Sequence, residues 1–472
     1  MTPRCAPGDE ALVRSVLEGR FPSETVKESA IRVVRRIAPP GGPALYLKLF
    51  RDRGLGASVR RLVADRAARE YAVLDHLRRA GVTAAEPVAC GTHDGSSFLI
   101  TREIPRAKTL KDHLLDVDRV IRKAFMVFLG RFVRKVHDAG VRHDDLHVGN
   151  ILATGPGETT RFYLVDVQRA AIRPRLTQAE RLRDLGFLLL SLRTLVTSAD
   201  QWRFLKAYWG EPPSKALLLD LRHAFQKARE RYAEDRAGRC LVTGREFERS
   251  GWMNLRRPLT AEAARKILEA PPLREVKRVG RRRLWLAAPD RFVREGPRAK
   301  RIWRNAHALA ARHVATPRLW ARAGDRILGE WLADAAPLNE LLARRAGSRR
   351  VLAEALARFV AGMHRGGVHH GDLKANNILV RESPSAKPEF WVVDLDRAAC
   401  FAEVPLERRL SDLAQLNAAL GPPVTAGDRL AFYRAYAGRE TDWVRDWKNR
   451  VREIMRRTKV RKHVWPRGES RV

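Results

Sequence analysis

The chain has 472 residues, 45% of them hydrophobic and 31% charged, which suits packed cores and excludes wholesale disorder. At ~150 residues per domain it holds two large domains or about three ordinary ones. The formal net charge of +37 draws anionic partners, whether nucleic acid, anionic lipid headgroups or phosphorylated glycans. That charge is diffuse rather than gathered in one tail, so it does not choose among them. Cys5, Cys90, Cys240 and Cys400 stand far apart with no CxxC spacing, which argues against a zinc site or a disulfide framework and for a reducing compartment. No stretch approaches the ~18 uncharged apolar residues of a membrane span, and LGFLLLSL at 185–192 reads as a core helix. The N-terminus has no apolar core of a signal peptide, so a cytosolic chain is expected.

In chain order, AIRVVRRI (30–37) and ALYLKLF (44–50) flank the turn APPGG and predict a β-hairpin. A helix follows through VRRLVADRAAREYAVLDHLRRAG, then a strand in SSFLITREI (96–104). Phe125, Phe128, Leu129, Phe132, Val133 and Val136 make one apolar helical stripe, which stops at Gly140, a natural residue past a helix end. HDDLHVGNIL (143–152) comes next, then the strand RFYLVDV (161–167) and the helix RLRDLGFLLLSL.

The series then recurs. RRLWLA, DRFVREG, a helix AKRIWRNAHALAAR and DRILGEWL lead to a stripe of Leu352, Leu356, Phe359, Val360 and Met363 ending at Gly366 and Gly367. HGDLKANNIL (370–379), the strand FWVVDL (390–395) and the helix RLSDLAQLNAAL follow. The basic segment near 235–275, with APP at 270–272, marks the domain boundary. The expected division is an N-terminal segment 1–25, a first domain 26–250, a basic linker 251–275 and a second domain 276–472.

The repeated pattern D-x-x-x-x-N, with an Asp-ended strand some way beyond, suits phosphoryl transfer, which asks for an oriented acceptor hydroxyl and neutralised phosphate charge. Asp145 is the candidate that accepts or orients the acceptor proton. Asn150 and Asp166 offer hard oxygens to Mg²⁺, which takes few protein ligands beside phosphates. Asp372, Asn377 and Asp394 repeat those roles. Two ordinary polar loops are the plain alternative, and two matches between the same helix and strand make it improbable.

These loops resemble the catalytic loop of the protein-kinase-like fold, on its small-molecule side. Asp144 and Gly371 stand where protein kinases carry the Arg of His-Arg-Asp, and no Gly follows Asp166 or Asp394 at the Asp-Phe-Gly spacing. YLKLF, AAREYAVLDHLRRAGV, SSFLITREI and VRHDDLHVGNIL together resemble the lipopolysaccharide core kinase family, which phosphorylates heptose or Kdo sugars. The resemblance covers about residues 30–250 and, more loosely, the second half. It implies an α+β chain of two tandem protein-kinase-like domains, each with a small β-rich N-lobe and a helical C-lobe, the second N-lobe reduced. It also implies ATP, Mg²⁺ and a lipid-linked anionic glycan acceptor at the inner face of the inner membrane, where an anionic surface suits the basic charge. Nucleic acid is a disfavoured partner, because no basic motif is interleaved with aromatics. By the same resemblance Lys48 holds the ATP phosphates, Glu70 is its helix partner, and residues 101–104, with Glu103 and Ile104, form the hinge that meets adenine. Lys374, two residues after Asp372, is placed to touch the transferred phosphate, whereas His147 stands there in the first copy.

Two departures matter. No G-x-G-x-x-G precedes Lys48; RDRGLGAS (51–58) follows it instead, with Gly54 and Gly56 open to reading as a phosphate or acceptor loop or as a plain turn. In the second half Arg294 aligns with Lys48 and Ile302 with Glu70, so the Lys–Glu pair is missing, although Lys300 lies near. Arg is not a neutral replacement for Lys. Three states remain open for that half: an active kinase with altered ATP clamping, a nucleotide-binding partner without activity, or a scaffold for the acceptor. A different acceptor (a protein or an aminoglycoside-type molecule) and a non-enzymatic basic binder are the competing functions. Asp184 and Asp412, read as opening the helices after the metal strands, are assigned to anchoring the catalytic loops.

Overall fold

The segments that alternate apolar and polar residues ahead of each motif form strands, and each sheet buries both of its faces. The computed structural model describes residues 4–5, 8–28, 32–50, 66–155, 159–344, 349–383, 386–421, 424–438 and 440–461. Gly54 and Gly56 lie outside them. Two units divide the chain, Met1–Ala228 and Arg229–Val472.

The first unit opens with an antiparallel sheet. Its strands are β1 (Arg4–Cys5), β2 (Ser23–Glu28), β3 (Arg32–Ile37), β4 (Leu45–Phe50), β5 (Pro87–His93) and β6 (Ser96–Arg102), in the order β1-β5-β6-β4-β3-β2. Successive strand side chains point to opposite faces. One face, with Ile37, Leu45, Leu47, Phe98 and Ile100, packs on Val13 and Val16 of the helix Glu10–Leu17. Phe50, Cys90 and Leu99, on the other, join Tyr71, Leu74 and Leu77 of the helix Arg66–Arg79. The N-terminal segment therefore covers the sheet. The rest of the unit is mainly helical, with short strands β7 (Lys108–Thr109), β8 (Val141–Arg142), β9 (Ile151–Thr154), β10 (Arg161–Leu164) and β11 (Ala171–Ile172) paired as β10-β9-β7 and β11-β8. The expected stripe lies on the helix Arg119–Asp138, with Phe125, Leu129, Phe132, Val133 and Val136 buried.

The second unit repeats the plan. Its sheet contains β12 (Phe247–Ser250), β13 (Met253–Arg256), β14 (Arg274–Val279), β15 (Arg282–Ala288), β16 (Arg291–Glu295), β17 (Leu319–Ala323) and β18 (Arg326–Glu330), in the order β12-β13-β17-β18-β16-β15-β14. That is the first sheet's order with one edge strand added, so the second N-lobe is not reduced. The difference arises from residues 251–275, which the sequence reading placed in a linker. They form β13 and the helix Ala261–Glu269, whose Ala264 and Leu268 pack on Leu255, Trp285, Val293 and Leu328. This helix does for the second sheet what Glu10–Leu17 does for the first. The boundary between units falls at Ala228/Arg229, inside the helix Lys215–Arg239. The second stripe lies on the helix Arg350–Arg365, with Leu352, Leu356, Val360 and Met363 buried.

Gly140 and Gly367 each precede a motif loop at positive φ, 74° and 80°. A Cβ there would overlap the carbonyl oxygen of Arg173 or of Phe401. Both positions therefore require glycine on two counts.

Candidate active sites of the two units

In the first unit β4 lies between β3 and β6, which sets Lys48 directly across from Val34 and Leu99. The apolar face of the helix Arg66–Arg79 packs under that sheet and carries Glu70 into full burial. Lys48 Nζ donates to Glu70 Oε1 at 2.5 Å and lies 3.6 Å from Asp166 Oδ1. Burial pushes the Glu70 carboxyl above the usual carboxylate range, and Lys48 pulls part of that back. Asp166 follows β10 with φ 57°. Its burial raises the pKa, but Lys48 and Arg32 outweigh it and hold the carboxyl below its ordinary value.

The loop between the stripe helix and β9 is held from behind. The buried Asp184 carboxylate accepts the amides of His143 at 2.6 Å and Asp144 at 2.9 Å. This is the anchoring task expected of it, but the position differs. The helix runs Gln178–Leu192 and is started by a capping box of Thr177 and Glu180. Asp184 thus sits in the second turn, so its own hydrogen bonds, not the helix dipole, explain it. Asn150 Nδ2 donates to Asp145 O at 3.0 Å, which leaves Asn150 Oδ1 as the acceptor available to a cation. Asp145 is part-exposed, with Arg169 at 3.9 Å from its Oδ2. His147 Nδ1 accepts the Gly149 amide at 3.0 Å, and burial lowers its pKa against the pull of Asp145; the second loop carries Lys374 at this place.

Glu103 and Ile104 follow β6. The Glu103 side chain is committed to Arg36 (2.8 and 2.6 Å) and Tyr46 (3.2 Å), and its amide donates to Ala44 O at 2.8 Å. That amide is therefore spoken for within the fold and does not serve a nucleotide base.

The second unit repeats the loop closely. Asp412 accepts the amides of His370 at 2.8 Å and Gly371 at 3.0 Å. It too lies in the second turn of its helix, Leu406–Ala419. Asn377 Nδ2 donates to Asp372 O at 2.9 Å. Lys374 Nζ lies 2.9 Å from Asp372 Oδ1. The surroundings differ. Arg294 on β16 faces Leu284 and Ile327 as Lys48 faces Val34 and Leu99, so the register sets the two residues in the same place. Burial depresses the Arg294 guanidinium, with Asp394 pulling the other way, and its Nη1 has no hydrogen-bond partner among the described residues. Ile302 is buried in the apolar core and offers no carboxylate. Lys300 is exposed on its helix. The helix Ala299–Ala311 is instead tied down by Arg298 to Asp396 (3.1 Å) and by Asn305 Nδ2 to Leu395 O (2.7 Å) and Ala398 O (3.0 Å).

Three sets of residues escaped the sequence reading. Arg32 of β3 reaches Asp166, with Nη1–Oδ1 at 2.9 Å and Nη2–Oδ2 at 3.5 Å. His137 links Tyr208 (2.7 Å) to Asp184 (3.5 Å), and His364 links Tyr436 (2.7 Å) to Asp412 (3.2 Å). The recurrence of a histidine three residues ahead of each helix-ending glycine was a legible signal for this last pair.

Asn150 Oδ1 and the Asp166 carboxylate are hard donors that fit Mg²⁺. Among the described residues no cluster of three or more His, Cys, Asp or Glu could hold a metal ion.

The chain is 27% identical over 199 residues to the lipopolysaccharide core heptose(I) kinase WaaP of Escherichia coli K12, covering 38% of this chain and 75% of that protein. It is 30% identical over 115 residues to the 3-deoxy-D-manno-octulosonic acid kinase of Vibrio cholerae, covering 23% and 46%. A solved structure, WaaP in complex with acyl carrier protein, superposes with a TM-score of 0.39 at 22% identity, over 48% of this chain and 99% of that one. The model of the lipopolysaccharide kinase (Kdo/WaaP) family matches residues 46–208 and 290–436. Those two segments make up more than half of the chain and take in both motif loops, and on that match the chain belongs to the lipopolysaccharide kinase (Kdo/WaaP) family.

Proposed function

We propose that the first unit is an ATP-dependent kinase that phosphorylates a sugar hydroxyl, heptose or Kdo, of the lipopolysaccharide inner core or a related glycolipid. The observation that carries this reading is the chain of contacts from Glu70 through Lys48 to Asp166, beside the anchored loop that bears Asp145 and Asn150. Lys48, fixed by a buried carboxylate, is a compact charge for the nucleotide phosphates. Asp145, part-exposed and lightly engaged, orients the acceptor hydroxyl and takes its proton. Asn150 and Asp166 would hold Mg²⁺, which supplies charge neutralisation to the phosphates when bound. The backbone around Ile104 is the place for adenine.

The second unit retains Asp372, Asn377, Asp394 and Lys374 but lacks the Lys–Glu pair, and we assign it nucleotide or acceptor binding without transfer. The chain's partners are a lipid-linked anionic glycan and the anionic inner face of the inner membrane. The net charge of +37 favours both, and no described helix is long and apolar enough to cross a membrane. The test is mass spectrometry of core oligosaccharides lacking phosphate after incubation with ATP, Mg²⁺ and the chain. A gain of one phosphate on a heptose or Kdo residue supports the reading. Phosphate appearing only on protein serine or threonine contradicts it.

A further inference from the structure

Residues 23–37 hold β2, β3 and the connection between them, and they contain no glycine. A glycine-rich loop covers phosphates with free backbone amides, and this hairpin, next to the Lys48 strand, has no such composition. It offers cations instead. Lys27 stands opposite Val34 on β3, and Arg32 stands opposite Phe50 on β4, two places from the Val34↔Lys48 pair. Arg32 and Val34 thus share a face of the sheet with Lys48.

The guanidinium of Arg32 forks onto both oxygens of Asp166, at 2.9 and 3.5 Å, while Lys48 Nζ lies 3.6 Å from Oδ1. The Arg32 side chain is only 12% exposed. Two cations converge on one carboxylate, and a third, Lys27, acts on it through its field. A divalent cation on Asp166 would compete directly with the Arg32 fork, because like charges do not share so small a site. For a guanidinium displaced from a carboxylate, a phosphate oxygen pair matches its planar fork.

We propose that Arg32 takes the part of the missing glycine-rich loop: it holds Asp166 in the nucleotide-free protein and passes to the nucleotide phosphates when a divalent cation takes that carboxylate. This rests on the kinase reading of the first unit and extends it to how the phosphates are covered. The second unit provides an internal contrast. Arg282 holds the register place of Arg32, since Leu284 faces Arg294 as Val34 faces Lys48. Arg282 goes to Asp396 at 3.4 Å, so the exchange is a property of the unit that has the Lys–Glu pair.

The experiment uses the full chain carrying Asp394→Asn, so that the second unit's expected metal carboxylate does not contribute. Free Mn²⁺ is read by electron paramagnetic resonance without nucleotide, and MgATP binding is read by calorimetry. Arg32→Gln is expected to bind Mn²⁺ about tenfold tighter and MgATP about tenfold more weakly, within the usual range of coupling between sites. Arg32→Lys, which keeps the charge and loses the fork, shifts both in the same directions by less and serves if Arg32→Gln does not fold. Unchanged affinities, or a loss of both, would make Arg32 a plain structural tie and overturn the proposal. A parent chain that binds neither Mn²⁺ nor MgATP would overturn the kinase reading itself.

Discussion

Glu70 has lost all contact with water, and Lys48 is its ion-pair partner. Breaking one side of a buried ion pair costs ~3–5 kcal/mol, and on the proposed kinase function part of that loss falls on nucleotide binding. Glu70→Gln keeps the shape and is expected to lower kcat/KM for ATP about 10²-fold, mostly through KM, with Lys48 left mispositioned. Steady-state kinetics at varied ATP checks this. His307 offers a second single-residue prediction. It is buried against Phe247 and Trp303, and burial, with help from Arg256, lowers its pKa to about 3. The unfolded chain takes up this proton near pH ~6.5, while the folded unit does not, so stability falls as pH drops below that point and levels off near the folded value. His307→Leu should flatten this part of the acid limb in thermal melts from pH 7 to 4. At this scale Lys48, Glu70, Asp184 and the two loops were legible, because each sits in a short ordered pattern. Arg32 was not: its partner Asp166 is 134 positions away, and one arginine among many on a strand carries no periodic signal.

The two motif loops are positioned by elements far along the chain. Asp184 and Asp412 each accept two loop amides, and His137 and His364 brace them against Tyr208 and Tyr436. Asp184→Asn replaces one of the two acceptor oxygens with a donor facing an amide. The cost is ~2–4 kcal/mol, read as a lower unfolding temperature together with lost transfer activity, whereas Tyr208→Phe should cost about 1 kcal/mol. The helices themselves were legible from their apolar stripes and glycine ends. The starts of the two helices after the motif strands were not: Asp184 and Asp412 lie inside Gln178–Leu192 and Leu406–Ala419, and the first of these begins at the Thr177–Glu180 capping box. That box, with its S/T-x-x-E spacing, was available to a closer reading.

Across the whole chain, the same strand order in both sheets shows the repeat to be wider than its motifs. The two sheets agree from β1 and β13 onward, and each has a helix on its outer face. Composition hid this in the second unit. A basic, proline-bearing stretch reads as a linker, yet AEAARKILE is amphipathic, is capped by Thr260 and buries Ala264 and Leu268. The copies diverge where charge chemistry matters: Lys48 and Glu70 give way to Arg294 and Ile302, and the helix below the second sheet is secured by Arg298 and Asn305. The central claim is that phosphate transfer belongs to the first unit. The most direct test measures transfer from ATP to a lipopolysaccharide core acceptor by wild type, Asp145→Asn and Asp372→Asn. A catalytic base is worth ~10²–10⁴-fold, so Asp145→Asn should lose at least about 10²-fold while Asp372→Asn keeps most of the rate. Full activity in Asp145→Asn with loss in Asp372→Asn would place the transfer in the second unit and contradict the account.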